Sequence, residues 1–479
     1  MASSFYKIIK HLTIPITAVL CFFLVYRANA QIMLDSTVLD THTVITGLDI
    51  PWEIQWGPDN WIWMTERYGR VSRVDPQTGT HDVLLVISEV YQESESGLLG
   101  MVLHPSFNDT AQLFLVYTYL AGSSIWERLV RYEYSGGGLI NPTILIDSIP
   151  GNTTHDGSRL LILPDRTILM TTGDAQNQPA AQDPFSLNGK VLRLNLDGSI
   201  PSDNPFPGNP VWSWGHRNAQ GIFLAPNGKI YSSEHGPTSD DEINILSPAR
   251  NYGWPNVLGP CDSPTEIIFC LDSNVYEPIT YWSPTIAPAD LLWYNHTAIP
   301  EFNNTLLLTV LKDKRLIRLT YDDSTGTNLV DETHYFINTW GRLRDICVSP
   351  EGVIYLATSG QSWQNTNPFT HSIVELRNPN PPDTTDTSTI SIEKIFNNEI
   401  SAIDIIIKMN PVNELGEFVF PDELIGQEFE IVDVMGKSHE KHYINQKVHA
   451  WFTDSYQAGI YFLVVNYIDK VFVKKLVVQ

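Results

Sequence analysis

Basic side chains are scarce in this sequence: 30 Lys and Arg stand against 54 Asp and Glu, a formal net charge of −24. Such a surface repels phosphate backbones and argues against nucleic acid as a partner. Cysteine is rarer still, with four in 479 residues. No CxxC pair is present, so neither a zinc ribbon nor a dithiol motif is encoded. Beyond the first thirty residues no apolar run reaches the ~20 residues that cross a bilayer as a helix, and no long stretch carries a helical period. What is abundant is 11% aromatic residues with 31 Pro and 30 Gly, a mixture that gives frequent turns and large side chains to pack between sheets.

The first thirty residues combine Lys7 and Lys10, an apolar run from Leu12 to Tyr26 and the small-residue ending Ala28-Asn29-Ala30. This pattern predicts a cleaved export signal over 1–30 and a secreted or cell-surface protein. Cys21 leaves with that signal. Export makes a Cys261–Cys270 disulfide chemically allowed, whereas Cys347, between Ile346 and Val348, reads as a buried free thiol.

From about residue 34 to 378, short runs rich in Val, Ile, Leu, Tyr and Trp alternate with Gly, Pro, Asn and Asp turns, which predicts an all-β domain. A weak repeat starts at Pro58-Asp59-Asn60, Pro164-Asp165-Arg166, Pro226-Asn227-Gly228 and Pro350-Glu351-Gly352, each a turn feeding a strand. The prolines lie 106, 62 and 124 residues apart, or two, one and two steps of a unit of about 50–60 residues, the size of a four-stranded propeller blade. Six such blades fill the region, and their loops converge on one mouth of a central channel. A polar, proline-rich linker over 379–389 then leads to a small domain over 390–479 that alternates like a β-sandwich.

Two polar stretches carry the densest chemistry. Gly215-His216-Arg217-Asn218 is followed by Glu234-His235-Gly236-Pro237 and Asp240-Asp241-Glu242, where a turn with exposed carbonyls beside carboxylates suits a hard cation. Against the acidic background, Arg217, Lys312, Arg342 and Arg344 all fall at predicted turns or strand ends, as a small polyanion would require. His155 precedes a predicted strand and has the chemistry of a general base.

The ordered motifs Pro51-Trp52-Glu53-Ile54, Thr65-Glu66-Arg67, Gly97-Leu98-Leu99-Gly100, His104-Pro105-Ser106-Phe107, Gly173-Asp174 and Gly189-Lys190-Val191-Leu192-Arg193-Leu194 continue through the two stretches above to Asn251-Tyr252-Gly253-Trp254-Pro255. Across residues 45–377 this order resembles the soluble quinoprotein glucose and sorbosone dehydrogenase family. The resemblance implies a six-bladed β-propeller that oxidises a sugar hydroxyl with pyrroloquinoline quinone (PQQ) and calcium (Ca2+), passing electrons to an external acceptor. It implies that Arg217, Asn218, Thr285, Lys312, Arg342 and Arg344 hold the quinone. Gly236 and Pro237 would bind the calcium beside it, and Glu242, Tyr252 and Asp262 a second one. His155 would be the base and Asp174 its orienting partner.

Departures from the family pattern lie where glucose enzymes recognise sugar. Glu95 stands in place of an amide, Thr154 replaces an acid before the base, and Ala175-Gln176-Asn177-Gln178 is shortened, so glucose itself is not implied. Trp282 is placed either to stack on a sugar or to pack in the core. The tail resembles a type IX secretion sorting domain of Bacteroidetes, through Asn410-Pro411, Asp433-Val434-Met435-Gly436-Lys437 and Gly459-Ile460-Tyr461, which implies the type IX machinery as a partner. A homodimer is compatible with the sequence. Two other readings remain open: a calcium-dependent propeller hydrolase resembling a lactonase, which needs no arginine cluster, and a non-enzymatic propeller binding glycan or protein.

Overall fold

The computed structural model describes residues 30–322, 325–361, 370–382 and most of 405–478. Six antiparallel sheets succeed one another along the chain, opening with Pro51–Trp56, Leu98–Leu103, Gly157–Ile162, Ala219–Leu224, Pro288–Tyr294 and Leu343–Val348. These opening strands pack side by side in a closed ring, the last against the first. The first five sheets each take four consecutive strands, whereas the sixth borrows Val38–Leu48, which pairs antiparallel with His371–Arg377. The ring of sheets is therefore closed by hydrogen bonds between its first and last segments, as a propeller requires to avoid an open seam.

The burial pattern follows from radial packing. The second strands of five sheets, Ile62–Glu66, Thr167–Thr172, Ile230–Glu234, Thr305–Val310 and Ile354–Thr358, are buried at every position. Each is covered on both faces by neighbouring sheets, so even the polar Ser232, Ser233 and Glu234 of Ile230–Glu234 are buried. The outer strand Gly138–Pro150 is mostly exposed. Interlocking rings fill the space between blades, such as Trp63 edge-on to Phe107 and Tyr134. Each fully buried aliphatic or aromatic side chain there contributes about 1.5–3 kcal/mol.

The repeated proline turns occupy one structural position. Pro58, Pro164, Pro226 and Pro350 all lie in the connection between the first and second strands of the first, third, fourth and sixth sheets. In the second and fifth sheets that connection has other sequences, so the repeat skips them.

The Cys261–Cys270 disulfide is present, and Cys347 is a buried free thiol. Cys270 lies within the one α-helix among the described residues, Pro264–Ser273, which buries none of its side chains. It was not legible as a periodic segment for that reason: a capping box of Ser263 with Glu266 and the disulfide hold it, and no core-facing stripe is required. Among the described residues no helix is long and apolar enough to cross a membrane.

In the tail, one sheet of Ile406–Lys408, Leu415–Val419 and Val448–Phe452 and another of Glu428–Asp433, Ser438–Tyr443, Gly459–Tyr467 and Lys470–Val478 enclose one core of Phe418, Phe429, Ile431, Trp451 and Leu463. The expected leader before Ala30, the linker beyond Pro382, and the motif residues Asn410-Pro411 and Val434–Lys437 lie outside the described residues.

Candidate functional site

The loops that enter the opening strands and those that join second to third strands converge on one mouth of the channel. His155 stands just before the third sheet with φ +63°, a left-handed conformation rare for a non-glycine residue. Gly173 permits the close approach behind it, since a Cβ there would meet the His155 carbonyl oxygen at 1.8 Å. The imidazole Nδ1 lies 2.8 Å from Asp174 Oδ1, and Nε2 lies 3.2 Å from Arg217 Nη2. A guanidinium only donates, so Nε2 must accept and Nδ1 must carry the proton. His155 is thereby fixed as the tautomer whose lone pair faces the mouth.

Asp174 is buried. Burial alone would raise its carboxyl, but hydrogen bonds from His155, the Gln176 N–H and the Trp254 indole outweigh it and hold the group below the usual carboxylate range. Glu95 accepts from the His155 N–H at 3.2 Å, which places a carboxylate beside the base. Below it, the Asp156 carboxyl is pushed up to about 7 by burial and by the charge of Glu95.

Arg217 and Asn218 come from the turn that opens the fourth sheet, and Glu234 clamps that turn by accepting from both of their backbone N–H groups and from His216 Nδ1. The Asn218 side-chain amide nitrogen is buried with no hydrogen-bond partner, as are the Nε atoms of Arg217, Arg342 and Arg344. None of these three arginines has an ion-pair partner among the described residues, although all are largely withdrawn from water. Burial lowers each guanidinium, Arg342 to about 10 and Arg344 to about 9, with Glu95 the only carboxylate acting on Arg342 and Arg344 in the opposite sense. A guanidinium does not surrender its proton at neutral pH, so the remedy for this cost is an anion. Lys312 adds a further cation, its Nζ donating to the Thr285 carbonyl and hydroxyl oxygens at 2.7 and 2.8 Å.

Gly236 and Pro237 line a small cavity with Glu234, Glu242, Tyr252 and Trp254. Gly236 is required, since a Cβ would meet the Ser239 carbonyl oxygen at 2.0 Å. Burial and then the charge of Glu234 push the Glu242 carboxyl up to about 8, a state that an added cation would reverse. The Tyr252 hydroxyl is already engaged, donating to the Ile245 carbonyl and accepting from the Ser247 N–H, so only its backbone oxygen is left as a ligand. No cluster of three carboxylate, histidine or cysteine side chains suited to a metal occurs among the described residues. The donor set here is therefore one of backbone oxygens and single carboxylates, which suits calcium rather than a softer ion.

Asp262 is exposed on the loop before the helix and does not line the cavity. Trp282 is half-buried, packs against the core of the fourth and fifth sheets, and its indole donates to Glu332 at 3.1 Å.

Three further residues shape the site, two of them, Asp241 and Glu234, inside the polar stretches but with no separate role legible in the sequence. Gln220 links the floor: its amide nitrogen donates to Asn218 Oδ1 at 3.0 Å, its amide oxygen accepts from Arg344 at 2.8 Å, and its carbonyl accepts from Arg159 at 2.8 Å. Asp241 braces the rim, with Oδ1 taking the Gly236 N–H and Oδ2 the N–H groups of Ile286 and Ala287, next to Thr285. Glu234 is the third, as described above.

A family model described as Glucose / Sorbosone dehydrogenase matches residues 48–365. Quinoprotein glucose dehydrogenase B of Acinetobacter calcoaceticus is 32% identical, over 67% of this chain and 85% of its own. The aldose sugar dehydrogenase of Streptomyces coelicolor, solved in its PQQ-bound form, is 28% identical with a TM-score of 0.61, covering 71% of this chain and 98% of that one. The soluble aldose sugar dehydrogenase of Escherichia coli, solved in its apo-form, is 25% identical with a TM-score of 0.64, covering 71% and 99%.

Proposed function

Because the chain belongs to the glucose and sorbosone dehydrogenase family, we propose that it is a pyrroloquinoline quinone-dependent dehydrogenase, a six-bladed propeller that oxidises a sugar hydroxyl with calcium beside the quinone. The observation that carries this reading is the set of guanidiniums at the mouth, Arg344 buried and Arg217 and Arg342 half-buried, each with a buried unpartnered Nε and none paired to a carboxylate among the described residues. A planar polycarboxylate matches their need, and the unpartnered Asn218 amide adds a donor. Lys312 and Thr285 would complete the cradle from the fifth sheet's side, and the carbonyls of Gly236 and Pro237 would face the calcium.

When bound, the quinone supplies a two-electron acceptor that the adjacent calcium polarises as a Lewis acid. The chain's own part is proton chemistry and positioning. His155 Nε2 removes the proton of the substrate hydroxyl, and the Nδ1–H held by Asp174 stabilises the imidazolium that forms. Engagement of Arg217 by an anion frees Nε2 from its present donor. Glu95, in the wall beside the base, accepts hydrogen bonds from hydroxyl groups of the sugar. We extend the proposal to the rest of the chain: residues 1–30 direct export, 390–479 form a sandwich that engages the type IX machinery, and the mature enzyme acts outside the cytoplasm, as a monomer or homodimer, with an external electron acceptor.

Dye-linked oxidation of a panel of aldoses by the purified protein, with and without added quinone and calcium, tests the reading. Activity that requires both and is lost in His155→Ala is the expected result. Failure to bind quinone, together with calcium-dependent hydrolysis of a lactone, would overturn it.

A further inference from the structure

Trp254 touches both Asp174, behind the base, and Arg217. Its indole N–H donates to Asp174 Oδ2 at 2.9 Å, while the face of its ring lies 5.2 Å from the Arg217 guanidinium carbon. The other Asp174 oxygen already serves His155 Nδ1 and the Gln176 N–H, and among the described residues Trp254 is the one side chain that donates to Oδ2. The tryptophan is itself held firmly. Its backbone N–H donates to the Gly215 carbonyl at 3.0 Å, two residues before Arg217, and its backbone carbonyl accepts from the Gln182 side chain at 2.6 Å. It is 7% exposed.

We propose that Trp254 is a positioning residue that fixes the carboxylate behind the base and the quinone-binding arginine in one register, so that proton removal and cofactor placement are set by a single side chain. This rests on the dehydrogenase reading. The physical case is that a carboxylate with one free oxygen can turn about its Cβ–Cγ bond, and Asp174 turning would release His155. The indole N–H removes that freedom. The ring then confines Arg217 by packing and by its electron-rich face. The charged and titratable groups around Asp174 and His155 are Arg217, Glu95 and His235, and none of them donates to Oδ2.

Two variants separate the two contacts. Trp254→Phe keeps a ring beside Arg217 and deletes the donor, whereas Trp254→Leu deletes both. In Trp254→Phe, kcat for aldose oxidation is expected to fall about tenfold with KM and quinone affinity unchanged. The acid limb of its kcat profile moves to higher pH, because Asp174 loses a donor that favours its ionised form. Trp254→Leu in addition binds quinone about tenfold more weakly. A second readout needs no cofactor: the Trp254 indole resonance of the unloaded protein, identified by its absence from Trp254→Phe, shifts upfield in Asp174→Asn. Wild-type kcat and acid limb in Trp254→Phe would overturn the proposal, as would an indole resonance indifferent to Asp174→Asn. Parallel loss of kcat, quinone affinity and thermal stability in Trp254→Phe would reduce the residue to a structural part, and overturn it also. Should the wild type bind no quinone, the dehydrogenase reading fails, and the indole measurement still decides whether Trp254 holds Asp174.

Discussion

Arg159 and Arg344 lie near the same axis, share the ring of Trp52 at 4.4 and 5.7 Å, and both hydrogen-bond Gln220. Their electrostatic surroundings are opposite. Arg159, in the channel beneath the mouth, contacts Glu53 at 2.8 Å and Asp345 at 2.7 Å, with Asp290 at 3.7 Å. Burial opposes its charge, but the three carboxylates outweigh burial and hold its proton more tightly than usual. Arg344, one layer higher, has no carboxylate within ion-pair range among the described residues, and burial lowers it to about 9. Two buried arginines therefore differ in what completes them: the chain completes one, and a ligand must complete the other. The contrast separates a charge that ties blades together from a charge that recruits a cofactor.

The largest expected effect breaks the completed member. Arg159→Met leaves Glu53, Asp290 and Asp345 buried without a counter-charge, and chemical denaturation should show a loss of about 3–5 kcal/mol, whereas Arg344→Met should cost little or stabilise the unloaded protein. Next, His155→Ala should lower kcat at least about a hundredfold while calorimetry shows quinone binding retained, since the base touches substrate rather than the arginines. Arg342→Ala should weaken quinone binding by about tenfold to a hundredfold without lowering the denaturation midpoint of the unloaded protein.

The smallest effect concerns pH. The Asp156 carboxyl sits at about 7 in the folded protein, above its unfolded value of 3.8. The folded state therefore binds more protons between these values, and the contribution of Asp156 to stability is lost as pH rises through that window. Denaturation at pH 5 and pH 8 should show a drop that Asp156→Asn reduces by about 1–2 kcal/mol.

Much of this contrast was hidden in the sequence. The proline turns at 58, 164, 226 and 350 are local signals and mark one position in four of the six sheets, because a turn's chemistry lies within three or four residues. Arg217, Arg342 and Arg344 stood out because cations are few in an acidic chain. The partners of Arg159 are separated from it by 106, 131 and 186 residues in sequence, so nothing local distinguishes it from Arg344. Gln220 and Trp254 act through contacts across 61 to 124 residues, which periodicity and composition do not encode. The helix at Pro264–Ser273 escaped for the opposite reason: it has no buried face to leave a pattern.

The central claim, that the mouth arginines are unpaired because an anionic cofactor completes them, is tested most directly by calorimetric titration of the unloaded protein with pyrroloquinoline quinone, for wild type and for Arg342→Ala/Arg344→Ala. One-to-one binding by the wild type, weakened at least about a hundredfold in a double variant that is no less stable, is the expected result. Quinone binding of equal strength in both proteins would contradict it.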